Sequence, residues 1–212
     1  MMSLDDITKV ALVMSLDDMT TITIMARWEG DAAGRLREAA MELYAERGYE
    51  QTTVAEIADR AGLTARTFFR HFTDKREVLF AGSEMLREGM VTALRDAPSS
   101  ATPMGAVGAA LDASTAFLGR DHTHSRRRHG IIGANPELME RELIKMATLA
   151  AALGAGLRER GVPEPDASLA AQAGIVVLQV AFERWVTSPT ETDLRKEMSS
   201  NLERLQTVTT AQ

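Results

Sequence analysis

The 212-residue sequence predicts an all-α chain of about nine helices, a small three-helix N-terminal domain followed by a larger helical one. Three observations predict this. From Asp31 onward, apolar residues recur at the i, i+3, i+4, i+7 spacing of helices buried on one face. Breaks at Gly48, Gly62, Ala97–Pro103, Asn135-Pro136 and Gly161–Pro165 cut that periodicity into segments. The one strand-like run, Ile175-Val176-Val177, sits inside about twenty residues without turn signals, which argues for a helix there too.

The elements follow in order. Leu36, Ala39, Ala40 and Leu43 mark the buried face of a first helix that Gly48 ends. Val54, Ile57, Ala58 and Ala61 repeat the pattern in a second. Thr53-Val54-Ala55-Glu56 matches a capping box, in which the threonine hydroxyl and the glutamate satisfy each other's orphan amides. Gly62 falls where a left-handed residue ends a helix, and Leu63 supplies the apolar contact after it. Thr64 caps a short third helix reaching Phe72, and Asp74 is placed to cap a fourth that runs toward Asp96. A fifth helix is expected over about 104–118, a sixth over 123–133 and a seventh over 136–160, with Pro136 disfavouring helix at Asn135. An eighth spans about 166–187, and Ser188-Pro189 starts a ninth reaching Leu205.

The first 26 residues read differently. Met2-Ser3-Leu4-Asp5-Asp6 recurs as Met14-Ser15-Leu16-Asp17-Asp18, and the segment is acidic where a secretory signal would be basic. Residues 1–26 are therefore expected to be a disordered leader, with a DNA-touching arm as the alternative. Residues 27–76 form the first domain and 77–212 the second. No membrane span is expected, because the longest apolar region, Leu169–Phe182, is short of the ~20 residues required and contains Gln172 and Gln179.

Composition excludes several chemistries. With no cysteine, disulfides, zinc–thiolate sites and cysteine nucleophiles are impossible, in keeping with a cytoplasmic location. No nucleophile elbow, phosphate-cradling glycine loop or metal constellation is present, so neither an enzyme nor a bound cofactor is expected. His122, His124 and His129 with Arg126-Arg127-Arg128 form a basic knot, but their spacing matches no zinc pattern and a solvated face is expected. The net charge of −6 argues against strong non-specific nucleic-acid binding. Its distribution argues otherwise locally: between Arg60 and Glu77, five cations (Arg60, Arg66, Arg70, Lys75, Arg76) face two carboxylates, Asp74 and Glu77.

Two helices joined by a tight glycine turn make a helix-turn-helix, whose second helix normally enters the DNA major groove. On that helix Phe68 and Phe72 share one face, flanked by Ala65 and His71. Arg66 and Arg70 point the opposite way, with Thr67 and Phe69 beside them. Guanidinium is the group best shaped for bidentate contact with guanine O6 and N7. Thr53 and Thr64 place hydroxyls and helix N-termini where phosphates can bind.

The run Gly48-Tyr49, Thr52-Thr53-Val54, Ile57-Ala58, Ala61-Gly62-Leu63-Thr64, Thr67-Phe68-Phe69, His71-Phe72 and Asp74-Lys75 resembles the N-terminal signature of the TetR family of transcriptional regulators. The resemblance covers about Asp31–Phe80; beyond it, only helix number, length and order match. It implies a homodimeric repressor that binds a near-palindromic double-stranded operator and leaves it when a small-molecule effector enters the C-terminal helices. It also places base or phosphate contacts on Ala65, Arg66, Thr67, Phe69, Arg70 and His71, and backbone contacts on Thr53 and Lys75. The family usually carries tyrosine where this chain has Phe69, so one phosphate hydrogen bond is missing.

In the larger domain, Met139, Leu143, Met146, Ala150, Leu153 and Leu157 form a packing seam on the seventh helix. The eighth helix is apolar nearly all round and is expected to be buried on more than one side. The resemblance favours dimer pairing through the eighth and ninth helices. Phe117, Met139, Met146, Phe182 and Trp185 are candidates to line a largely apolar effector pocket. Gln172 and Gln179, one heptad apart, are its candidate polar handles or bond across the dimer.

Overall fold

The computed structural model describes the backbone of residues 16–190 and 192–210 and the side chains from residue 32 to 209, Glu191 apart. Among these residues there are nine α-helices: α1 (Leu16–Arg47), α2 (Val54–Arg60), α3 (Ala65–His71), α4 (Ser83–Asp96), α5 (Pro103–Leu118), α6 (His122–Gly133), α7 (Pro136–Glu159), α8 (Asp166–Thr187) and α9 (Leu194–Thr210). The chain divides into two compact units between Val78 and Leu79. Of the expected leader, residues 1–15 lie outside the described residues, and α1 begins at Leu16.

In the first unit α1 packs against both α2 and α3. Leu36, Leu43, Ile57 and Phe68 are fully buried, the positions that the helical period marks. Burying one such side chain stabilises the fold by about 1.5–3 kcal/mol. The fourth helix differs from expectation. Asp74 does cap, but its Oδ1 accepts from the amides of Arg76 and Glu77 and so starts only a short 3-10 turn, Glu77–Phe80. The helix proper, α4, begins after Gly82.

In the second unit α4 lies against α5 and α7, while α8 packs on α5, α7 and α9. Met90, Leu94, Val107, Leu111, Leu153, Leu157, Ala181 and Trp185 form the centre of its core. The α7 seam holds only in its C-terminal half. Leu153 and Leu157 are buried, whereas Met139 and Leu143 are exposed and Leu138 takes the inward place one residue earlier. Met139 and Leu157 lie 18 residues apart, five turns of a 3.6-residue helix, and share one face, so the difference between them lies in what covers each end of α7. α8 has the length and composition to cross a bilayer, yet half of it is buried inside this unit, as in a core helix. Its burial is one-sided: Leu169, Gln172, Val176, Gln179 and Val180 remain exposed.

α9 starts six residues later than Ser188 and runs further, to Thr210. Ser188 bonds locally with Thr190, and the Trp185 indole N–H donates to the Thr192 carbonyl at 2.7 Å. Those bonds hold the segment in a loop until Asp193 accepts from the Arg195 amide at 2.9 Å. The histidine–arginine knot of α6 is only partly solvated. His122 Nε2 lies 3.0 Å from the Trp185 carbonyl, and His129 packs edge-on to Phe182. Arg128 lies over the Phe80 ring, donates to the Leu79 carbonyl at 2.7 Å and pairs with Glu142. Burial pulls its pKa below the usual guanidinium value, with Glu142 opposing. No cluster of three or more metal-ligating side chains occurs among the described residues.

Candidate DNA-recognition helix

The recognition helix is assembled from local signals. Gly48 takes φ +88° and ends α1, its amide donating to the Tyr44 carbonyl at 3.0 Å. The capping box of α2 is complete: the Thr53 hydroxyl accepts from the Glu56 amide, and the Glu56 carboxylate accepts from the Thr53 amide at 2.9 Å. Those hydrogen bonds from Thr53 hold the Glu56 carboxyl below the usual carboxylate range, with Arg47 adding a smaller pull. Gly62 takes φ +65°, and the amides of Gly62 and Leu63 donate to Asp59 and Ala58 at 2.9 and 2.8 Å. That is the Schellman pattern, and it sets the tight turn before α3.

Thr64 then caps α3, accepting from the Thr67 amide at 3.2 Å, and the helix ends at His71. Phe68 is fully buried, and Phe72 and Phe69 each lie 5.5 Å from its ring. Phe69 is nevertheless 58% exposed, an aromatic held edge-on by Phe68 and facing outward. Ala65, Arg66 and Arg70 are exposed, and Thr67 and His71 half-buried. Arg70 reaches within 3.5 Å of the His71 ring. The outward face therefore joins two guanidiniums to a rigid aromatic and a hydroxyl, the donor and apolar groups that read base edges and thymine methyls.

The remaining expected contacts are placed otherwise. The Thr53 hydroxyl faces solvent but also bonds Glu56 Oε2 at 2.9 Å, so a carboxylate already occupies the N-terminus of α2. Lys75 turns inward: its ammonium donates to the carbonyls of Tyr49, Thr52 and Glu50 at 2.8, 3.0 and 3.3 Å. It also lies 4.2 Å from the Tyr49 ring centroid. Of the five cations counted in the sequence, Arg60 is paired with Glu42 and Glu46, and Arg76 with Asp74. Arg66 and Arg70 are the two that stand on the outer face of α3.

Arg35, not singled out in the sequence, donates to the Ala61 carbonyl at the end of α2. A glycine at the C′ position signals that the carbonyls beside it need partners, but the donor lies 26 residues away, and spacing alone does not select it.

The seven candidate effector residues do not gather in one cavity among the described residues. Phe117 lines a groove of about 490 Å³ between α4 and α5, with Met85, Gly89 and Thr92. Trp185 borders a separate cleft of about 280 Å³ with Thr115, Thr192 and Arg195. Phe182 packs on Trp185, Met146 is half-buried, Met139 is exposed, and Gln172 and Gln179 stand on the outer face of α8.

The first unit thus presents a capped helix-turn-helix, the class of motif that docks its second helix in the DNA major groove. The family profile described as "Bacterial regulatory proteins, tetR family" matches residues 36–81. The helix-turn-helix unit is thus a TetR-family DNA-binding domain. It is 38% identical over 86 residues to the HTH-type transcriptional regulator TcmR of Streptomyces glaucescens, a match covering 41% of this chain and 37% of TcmR. That is little more than a third of TcmR's length. It is 28% identical over 159 residues to the transcriptional activator FasR of Mycolicibacterium smegmatis, covering 72% of this chain and 70% of FasR. The solved structure of Thermus thermophilus FadR, a TetR-family repressor in complex with lauroyl-CoA, is 26% identical, with a TM-score of 0.52 over 82% of this chain and 93% of FadR.

Proposed function

We propose that the protein is a homodimeric, cytoplasmic repressor that binds a near-palindromic operator and is released by a small, largely apolar effector. The observation that carries the reading is the outward face of α3, where Arg66, Thr67, Phe69 and Arg70 stand on a helix anchored by buried Phe68. Ala65 and His71 flank the base-reading residues, and Thr53 and Thr64 lie at the helix starts that approach the phosphates.

Dimerisation through α8 and α9 is supported by Leu169, Val176 and Val180, which expose an apolar stripe at a spacing of seven and four residues on α8. A self-complementary stripe of this kind is what a two-fold interface buries. Gln172 and Gln179 share that stripe, which favours bonding across the dimer over a place in the pocket. The two recognition helices would then stand roughly 34–36 Å apart, one turn of DNA.

For the effector, the lauroyl-CoA bound by T. thermophilus FadR supports a fatty-acyl thioester, with the groove at Phe117 as the contact region. The other apolar candidates, Phe182, Trp185, Met146 and Met139, lie outside that groove. Activation is the second reading, favoured by the similarity to FasR along most of the chain.

Genomic selection of bound DNA followed by footprinting tests the proposal. Two protected half-sites one helical turn apart, lost as acyl-CoA is titrated in, support it. Protection of a single half-site, or operator affinity indifferent to every acyl-CoA tried, contradicts the corresponding part. A reporter assay with the operator in place separates repression from activation.

A further inference from the structure

We propose that the groove between α4 and α5 takes an apolar chain with a multiply charged anionic head, the chain lying along α4 and the head held by Arg120, Arg126 and Arg127. The inference rests on the acyl-thioester reading of that groove and names the end at which the head sits. Met85, Gly89, Thr92 and Ala93 line the groove from α4, and Phe117 borders it from the end of α5. Met85 is 58% exposed, an apolar surface for a chain to cover. Gly89 lies in the middle of α4, where glycine weakens a helix relative to alanine. A Cβ there would stand 2.7 Å from the Phe117 ring, so this glycine is what lets the ring rest on the helix.

Charge around the groove is lopsided. Glu88 and Asp96 line it from α4, while the nearby cations of that helix, Arg87 and Arg95, are paired with Glu84 and Glu159. An anion is repelled along that side. At the other wall the Arg120 guanidinium lies over the Phe117 ring, 5.6 Å from its centroid. Its Nε donates to the Ala116 carbonyl at 2.9 Å, which leaves both terminal nitrogens for an anion. The Ser125 hydroxyl donates to the Leu118 carbonyl at 3.1 Å and so ties the start of α6 to this end of α5. Arg126 and Arg127 follow directly, and none of the three arginines is ion-paired among the described residues. Three such guanidiniums suit a head with several negative charges, such as the phosphates of a coenzyme A thioester, since each fork matches a pair of phosphate oxygens.

Calorimetric titration of the full chain with lauroyl-CoA, laurate and coenzyme A tests the site. The variants are Arg120→Gln, the pair Arg126→Gln with Arg127→Gln, and Thr92→Trp, which puts an indole in the path of the chain; circular dichroism checks each fold. The proposal predicts that the wild type binds lauroyl-CoA more tightly than coenzyme A. Both arginine variants should lose about tenfold or more for lauroyl-CoA, and the paired variant should bind laurate as the wild type does. Raising salt from about 50 to 200 mM should weaken lauroyl-CoA less in the arginine variants than in the wild type. Thr92→Trp should weaken lauroyl-CoA and laurate alike and leave coenzyme A unchanged.

Arginine variants or a Thr92→Trp protein that bind lauroyl-CoA as the wild type does overturn the proposal and leave the effector class standing. Coenzyme A bound as tightly as lauroyl-CoA also overturns it. A wild type that binds none of the three probes refutes the acyl-thioester reading, and this site with it. If a variant does not fold, the wild type decides by NMR of its arginine side chains. Arg120 signals that shift with lauroyl-CoA and not with dodecanol support the site; signals that stay in place overturn it.

Discussion

Replacing Gly62 by alanine tests the turn that presents the recognition helix. Gly62 holds φ +65°, a region that costs an ordinary L-residue about 1–2 kcal/mol. A methyl there would also stand 2.8 Å from the Arg35 guanidinium nitrogen, which must then release the Ala61 carbonyl. A hydrogen bond from a charged donor is worth about 1.5–3 kcal/mol in general; discounted for the exposure of Arg35, about 1 kcal/mol is a fair share. Gly62→Ala should therefore cost about 2–3 kcal/mol. Gly48 is the internal control: its φ is +88°, but nothing lies within 4 Å of an added methyl, so Gly48→Ala should cost only the backbone strain. Native-state hydrogen exchange at the Ile57 and Phe68 amides reads both penalties. A double-mutant cycle with Arg35→Ala should show a coupling of about 0.5–1 kcal/mol to Gly62→Ala and none to Gly48→Ala. Equal penalties at the two glycines without coupling to Arg35 would refute the capping role. A neutral Gly62→Ala would refute the left-handed turn itself.

Further outcomes follow from the same geometry. Phe68→Ala empties the centre of the first unit and should cost about 3–5 kcal/mol, seen as a lowered thermal midpoint of that unit. Phe69→Tyr adds a hydroxyl at an outward, exposed position and should tighten operator binding about three- to tenfold by anisotropy, the worth of one net hydrogen bond. Acid should loosen the helix-turn-helix. Glu56 has a folded-state pKa lowered from the ordinary 4.5, so its contribution is fully present above that value and fades as pH falls through the lower one. Hydrogen exchange at the Glu56 amide should accelerate over that window, and Glu56→Gln should remove the dependence.

Much of the recognition motif was legible because its determinants are local. The Thr53–Glu56 box, the Gly62–Leu63 turn and the Thr64 cap each involve residues a few positions apart, and all form as their spacing predicts. Phe68 was legible for a related reason, since a seven-residue helix has only one face to bury. Lys75 and Arg35 were not legible in their present roles. Both act on carbonyls more than twenty residues away, and a cation in a basic window reads the same whether it meets a phosphate or a turn. The second unit shows the same limit. What covers each end of α7 depends on where its neighbours lie, so the seam drawn through Met139 and Leu143 leaves the core at its N-terminal end. The candidate pocket residues were chosen by type, and type does not distinguish Trp185 in the core from Met139 on the surface.

The central claim is that the outer face of α3 reads DNA, and the most direct measurement compares wild type with Arg66→Ala plus Arg70→Ala on the selected operator and on unrelated DNA. Each bidentate guanine contact is worth about 1–3 kcal/mol, so the pair should weaken operator binding by at least about thirtyfold and bring it close to the non-specific level. Equal operator binding by the two proteins would contradict the assignment.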